Sequence, residues 1–214
     1  MLAAMVADPS YPCVGAKSVF ARDQVEVLVL DRMADAASAD ALVDALGAFS
    51  AAHPRDVERG PVMASFLAAF RSPVPESEAA FESLLWRQLG MVRSADEAEW
   101  DGAVSADPAS PHFGFSVAGR AFFVIGMHPA ASRIARRTPL PVLVFNLHSQ
   151  FEQLRSSGAY DRLRDTVRKR DVRLQGSTNP MVADHGLRSE ARQYSGRAVG
   201  DGWRPPACFE EETR

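Results

Sequence analysis

In the stretch IGMHPAASRIARRTPLPVLVFNLHSQF at 125–151, His128 and His148 each stand directly after a run of β-type apolar residues, with Arg133, Arg136 and Arg137 between them. A histidine just past the C-terminal end of a buried strand sits where open α/β sheets place their ligands. The chemistries open to such a pair are metal or haem ligation, acid–base work and an anion pocket. Two unrelated histidines that merely finish their strands would look the same. Zinc would need a third ligand from His53, His112, His185, Cys13 or a carboxylate, and the sequence has no H-x-x-x-H, H-E-x-x-H or C-x-x-C spacing.

Haem asks less of a sequence: one axial His or Cys, an apolar slot with aromatic walls, and cations for two propionates. His148 has Val142, Leu143, Val144, Phe145 and Phe151 around it and Arg133, Arg136 and Arg137 nearby. Arg136 and Arg137 cannot both point the same way, so one of the three arginines is expected on the surface. YPCVGAKS at 11–18 sets Cys13 and Lys17 around a glycine turn. A cysteine at a helix N-terminus has a lowered pKa and can serve as a thiolate ligand, although a buried inert thiol fits the spacing equally. The loop at 175–197 carries Asn179, Glu190, Arg192, Tyr194 and Arg197 on sequence with little periodicity, a mixture suited to a polar, charged small molecule. Glu190 and Asp184 are candidate carboxylates for a planar cation. No G-x-S-x-G, Walker loop or G-x-G-x-x-G occurs.

The elements that must position these groups follow from patterning. VEVLVL at 25–30 reads as a strand, and 34–52 as a helix opened by SAD. VMASFLAAF at 62–70 reads as a second helix, and SEAAFESLLWRQLGMV as a third with Phe81, Leu84, Leu85, Leu89 and Val92 on one face. The acidic segment 94–112 reads as a loop, and FGFSVAGRAFFVIGMH as a hairpin turned at Ala118–Gly119. Strand, short helix capped by Ser132, then strand predicts a parallel or mixed sheet, although the connection is near the minimum for a crossover. A helix from Ser149 to about Leu174, breakable at SSGAY, completes an α/β (or α+β) single domain over 1–214, a mixed sheet of a few buried strands flanked by helices.

Composition narrows the partners. The net charge of −3 conceals −8 over residues 1–132 and +7 over 133–204. All basic residues but Lys17 and Lys169 are arginine, acids interrupt the basic half, and no recognition-helix or RNP signature is present, so nucleic acid is not expected. No apolar run approaches the ~20 residues that cross a bilayer, and the start lacks a secretory pattern, so no membrane is expected and the cytoplasm is the expected compartment. Cys13 and Cys208 are expected to be free thiols.

YPCVGAKS at 11–18, GMHPAASRIARR at 126–137, FNLHSQFEQLR at 145–155, RDVRLQGSTNPM at 170–181 and SEARQYSGR at 189–197 together resemble the YqcI/YcgG family. That resemblance implies a haem-dependent oxygenase that N-hydroxylates a guanidine or amine group of an arginine-like small molecule. It implies haem b as cofactor, O2 or peroxide as co-substrate and an external electron donor. The residues themselves place His148 on the iron, more readily than His128 or Cys13. Arg133, Arg137, Phe145, Phe151 and Cys13 then surround the haem, His128 and Glu190 act in catalysis, and Asn179, Glu190, Arg192 and Tyr194 contact substrate. A non-catalytic haem or small-molecule binder, and a cofactor-free enzyme using a His–Glu pair, are the competing readings. Self-association as a homodimer completes the expected partners.

Overall fold

A computed structural model describes residues 2–55, 63–181, 187–206 and 209. His185, Asp184 and Cys208 lie outside the described residues. The framework is one five-stranded mixed sheet, in the order β1-β2-β5-β4-β3. The strands are β1 (Val25–Arg32), β2 (Ser65–Ser72), β3 (Phe115–Val117), β4 (Arg120–Met127) and β5 (Val142–Leu147). β1 and β2 run parallel, joined across the sheet by a helix, and every other pairing is antiparallel.

Helices cover both faces. α1 (Leu2–Ala7) and α2 (Val14–Ala21) precede β1, α3 (Ala36–Ala52) links β1 to β2, and α4 (Glu78–Ala95) follows β2. After β5 come α5 (His148–Ser156), α6 (Ala159–Gln175) and the short α7 (Ala191–Tyr194). Strand periodicity divides the side chains between two layers. Leu30, Phe66, Phe70, Phe122, Val124, Leu143, Phe145 and Leu147 pack with Leu42, Leu46 and Phe49 of α3 and Phe81, Leu85 and Leu89 of α4 in the main core. Their neighbours Leu67, Met127 and Val142 face the opposite way, with Leu2, Met5 and Phe20 packed against them.

Local chemistry fixes the ends of these elements. Asp35 caps α3 by accepting from Ser38 N at 3.3 Å, and Ser77 caps α4 by accepting from Ala80 N at 3.1 Å. The cap of α3 therefore lies three residues ahead of the SAD triplet. Ala118 and Gly119 turn the β3–β4 hairpin with φ of 52° and 68°, the doubly positive backbone of a type I′ turn. Gly158, at φ 67°, separates α5 from α6 as the SSGAY segment predicts.

Two expectations are corrected. The alanine-rich segment read as a helix at 62–70 contributes β2, with Ser65, Phe66, Leu67, Ala68 and Phe70 all buried in the middle of the sheet. A strand covered on both faces loses the alternation that would mark it, and small side chains suit such a place. β4 and β5, read as a possible parallel pair, are antiparallel, with Val124 opposite Phe145. Between them stands only a 3-10 turn at Ile134–Arg136. Ser132 does not cap it; its N–H and hydroxyl both bond Glu78 Oε1, at 2.9 and 2.7 Å.

Candidate functional site

The antiparallel course of β4 and β5 resolves the paired histidines. Each finishes its strand, but the antiparallel strands finish at opposite ends of the sheet, and the residues preceding each in register point to different faces. His148 follows Val144 and Asn146 onto the face covered by α1, α2, α5 and α6. His128 follows Phe122 and Val124 onto the α4 face, where its ring stacks on Phe81 with centroids 4.2 Å apart.

A cavity of about 330 Å³ occupies the first of these faces. That volume lies within the ~300–1,000 Å³ usual for small-molecule and cofactor sites. Leu67, Phe123, Ile125, Met127 and Val144 of the sheet form its floor, and Val6, Val19, Phe20, Phe151 and Leu163 of the helices its apolar roof. Its polar groups include Cys13, Asn146, His148, Glu190, Arg155 and Arg188.

At the polar end a short chain of bonds runs out of the core. His148 Nε2 lies 2.8 Å from Glu190 Oε2, and the Tyr194 hydroxyl donates to Glu190 Oε1 at 2.5 Å. A carboxylate only accepts, so Nε2 carries the hydrogen in this contact and Nδ1 is the free ring position. Tyr194 is fully buried, and its phenol is held well above its ordinary pKa by burial and then by the adjacent Glu190 charge. It therefore stays a donor. His148 is the first residue of α5 and Glu190 stands directly before α7, so two helix starts bring the pair together. Gly114 closes the other side of the imidazole: a Cβ there would lie 3.0 Å from His148 Nε2.

Cys13 forms the N-cap of α2, its sulfur accepting from Ala16 N at 3.4 Å, and it stands on the cavity wall. The low thiol pKa expected of a helix N-terminus is not found, because burial in apolar surroundings pushes it up by more than the backbone N–H groups lower it. Arg155 brings a buried Nε with no hydrogen-bond partner among the described residues to the same cavity, while its terminal nitrogen pairs with Glu152. A buried guanidinium N–H left open costs stability unless something accepts from it.

Of the residues singled out in the sequence, Cys13, His148, Phe151 and Glu190 meet at this cavity, and Tyr194 stands behind them. His128, Phe145, Arg133, Arg137, Asn179 and Arg192 are not among its described lining. Phe145 faces the main core. Arg133 is committed to Asp171 and the Ser177 carbonyl, and Arg137 to the carbonyls of Ala131 and Ser132, so this cluster braces loops. Asn179 fixes its own turn through Met181 N, and Arg192 bonds the Val199 and Gly200 carbonyls beside Trp203. Arg155, Arg188 and Phe123 were not singled out in the sequence. The helical run after His148 offered a signal for Arg155, since it falls one helical turn after Phe151.

Among the described residues no group of three or more His, Cys, Asp or Glu could hold a metal ion by themselves, and no helix is long and apolar enough to cross a membrane.

Fold and site together define an α/β protein with a largely apolar small-molecule cavity between a mixed sheet and its helices, ended by a carboxylate–imidazole pair. The chain belongs to the YqcI/YcgG family, whose model matches residues 2–208. No curated protein and no solved structure matches it.

Proposed function

We propose that this protein is a haem-dependent oxygenase that N-hydroxylates a guanidine or amine group of an arginine-like small molecule. The observation that carries the reading is the cavity itself, which brings a thiol and a His–Glu pair to one largely apolar space. Its donor set suits haem b: Phe20, Phe123 and Phe151 supply aromatic walls, and Arg155 and Arg188 supply cations for propionates. The open Nε of Arg155 has the chemistry that a propionate oxygen would satisfy.

Within this reading Cys13, in place of His148, would hold the iron. His148 Nε2 is already engaged with Glu190, which leaves His148 only Nδ1, the position this reading uses as proton acceptor. The Cys13 thiol is held only by backbone N–H groups, Ala16 N at 3.4 Å among them, and a bound metal would supply the positive charge that deprotonates it. Haem supplies the activation of O2 or peroxide, with an external electron donor when O2 is used. The protein's residues do the rest. Glu190, held by His148 and Tyr194, sets a carboxylate at one end of an apolar chamber, a natural seat for a guanidinium. His148 is the proton acceptor, taking the substrate proton at Nδ1 while Nε2–H stays on Glu190.

The pairing of His148 with Glu190 also favours a second reading, acid–base catalysis without a cofactor. One experiment separates them. The hemin-loaded protein, given a reductant, O2 and a panel of guanidine compounds, is expected to yield a product heavier by one oxygen on nitrogen, and Glu190→Gln to lower the rate roughly 10²-fold. A loaded protein that forms no such product from any guanidine or amine contradicts the oxygenase reading, and turnover by the haem-free chain establishes the second.

A further inference from the structure

Three oxidisable rings stand in line between the surface and the polar end of the cavity. Trp203 is part-exposed on the rim of a surface pocket, and its ring centroid lies 6.3 Å from that of Trp86. Trp86 is buried and stacks on Tyr194, with centroids 5.7 Å apart and planes 19° from parallel. The Tyr194 hydroxyl donates to Glu190, whose other oxygen meets His148 on the cavity wall. Rings at such separations are in contact, which is what single-electron transfer between them requires. Packing alone does not explain an indole in the middle of this line. Trp86 Nε1 is buried without a hydrogen-bond partner among the described residues, a cost that phenylalanine in its place would not carry. Tyr11 and Tyr160 have no ring contact with a tryptophan among the described residues.

We propose that Trp203, Trp86 and Tyr194 form a relay that passes single electrons between the protein surface and the Glu190 end of the cavity, with Tyr194 as the place where an oxidising equivalent rests. The surroundings of each ring set its part. Oxidised Trp86 has no described acceptor for its indole proton, so it keeps that proton and passes the positive charge on. Tyr194 has an acceptor. When it gives up an electron, its phenolic proton crosses the 2.5 Å bond to Glu190 Oε1, leaving a neutral radical beside a protonated carboxyl. The Arg192 guanidinium, 5.8 Å from the Trp203 ring centroid, disfavours positive charge at the outer end. The use of the relay rests on the oxygenase reading. Haem oxidised by peroxide with no substrate present takes one electron from Tyr194, and the proton passes to Glu190. Trp86 then refills Tyr194 as Glu190 returns the proton, Trp203 refills Trp86, and a soluble one-electron donor such as ascorbate or a thiol refills Trp203.

Pulse radiolysis of the haem-free full chain tests the relay independently of the haem. Azide radical oxidises tryptophan, and the tryptophanyl absorption is expected to decay as tyrosyl absorption grows, at a rate independent of protein concentration and slower in D2O. Tyr194→Phe and Trp86→Phe are each expected to lose the tyrosyl growth. Trp100→Phe is expected to keep it, because Trp100 packs against Phe113, Phe115 and Phe209, off the line. Glu190→Gln retains the shape of the side chain but takes no proton, so it is expected to slow the growth even if Trp86→Phe fails to fold. No concentration-independent transfer in the parent, or tyrosyl growth that persists in Tyr194→Phe, overturns the relay. In the hemin-loaded protein given peroxide and ascorbate without substrate, Trp203→Phe is expected to bleach the haem faster than the parent, and bleaching indifferent to that change overturns the use assigned to the relay. A chain that takes up no hemin yet passes the radical to Tyr194 contradicts the oxygenase reading and supports the relay.

Discussion

His128 is completely buried, neither ring nitrogen has a hydrogen-bond partner among the described residues, and its ring lies against Phe81. Burial lowers its pKa from 6.5 to about 4, opposed in small part by Glu78 and reinforced by Arg136. The unfolded chain therefore binds more protons than the folded one between those values. The neutral side chain's contribution is fully present above about pH 6.5 and is lost progressively toward pH 4. The difference amounts to about 3 kcal/mol at most. His128→Phe keeps the ring stack and removes both nitrogens. Thermal melts across that pH range are expected to show a flatter profile for this variant than for the parent, and an unchanged slope would show that another group carries the acid sensitivity. No type or spacing in the sequence distinguishes this histidine from His148. What separates them is the side of the sheet on which each falls, a property of strand pairing.

At the scale of elements, the hairpin at Ala118–Gly119, the strand at 25–30 and the helices α3 and α4 were legible, because each carries its own periodicity and its own turn or cap chemistry. β2 was not, since a central strand built partly of alanine has neither alternation nor β-branched residues to declare it. The direction of β5 was hidden for a different reason. A connection containing only a 3-10 turn is too short for a comfortable crossover, and antiparallel pairing is the outcome that needs none. Packing at one point of β4 is unusually close. A Cβ on Gly126 would lie 2.4 Å from Phe81 Cε1 and 2.8 Å from the Tyr194 carbonyl, and the latter, being backbone, cannot swing away. Gly126→Ala is expected to destabilise the protein by about 1–3 kcal/mol in urea unfolding. Because Tyr194 carries Glu190, the same variant is also expected to loosen the polar end of the cavity.

Across the whole molecule, the positive second half looked like an anion-binding surface in sequence, yet its arginines serve largely as ties. Arg136 bonds the Gly126 and Tyr194 carbonyls and, being buried, has its pKa drawn down to about 10. Arg170 reaches from α6 to the carbonyls of Pro9 and Tyr11, holding the segment that leads into Cys13. Charge counts cannot show this, because they do not say whether a guanidinium has acceptors nearby. The candidate site was legible in its members and not in its arrangement. Cys13 comes from the start of the chain, His148 from the end of the sheet and Glu190 from the last described helix, and only the folded chain sets them around one space. Their assembly motivates the central claim, that this space is a haem site with Cys13 as the axial ligand. Optical titration of the purified protein with hemin tests it most directly. The account predicts a saturable Soret shift at one haem per chain, with thiolate-type bands that vanish in Cys13→Ser and persist in His148→Ala. No saturable shift, or bands indifferent to Cys13→Ser and abolished by His148→Ala, would contradict it.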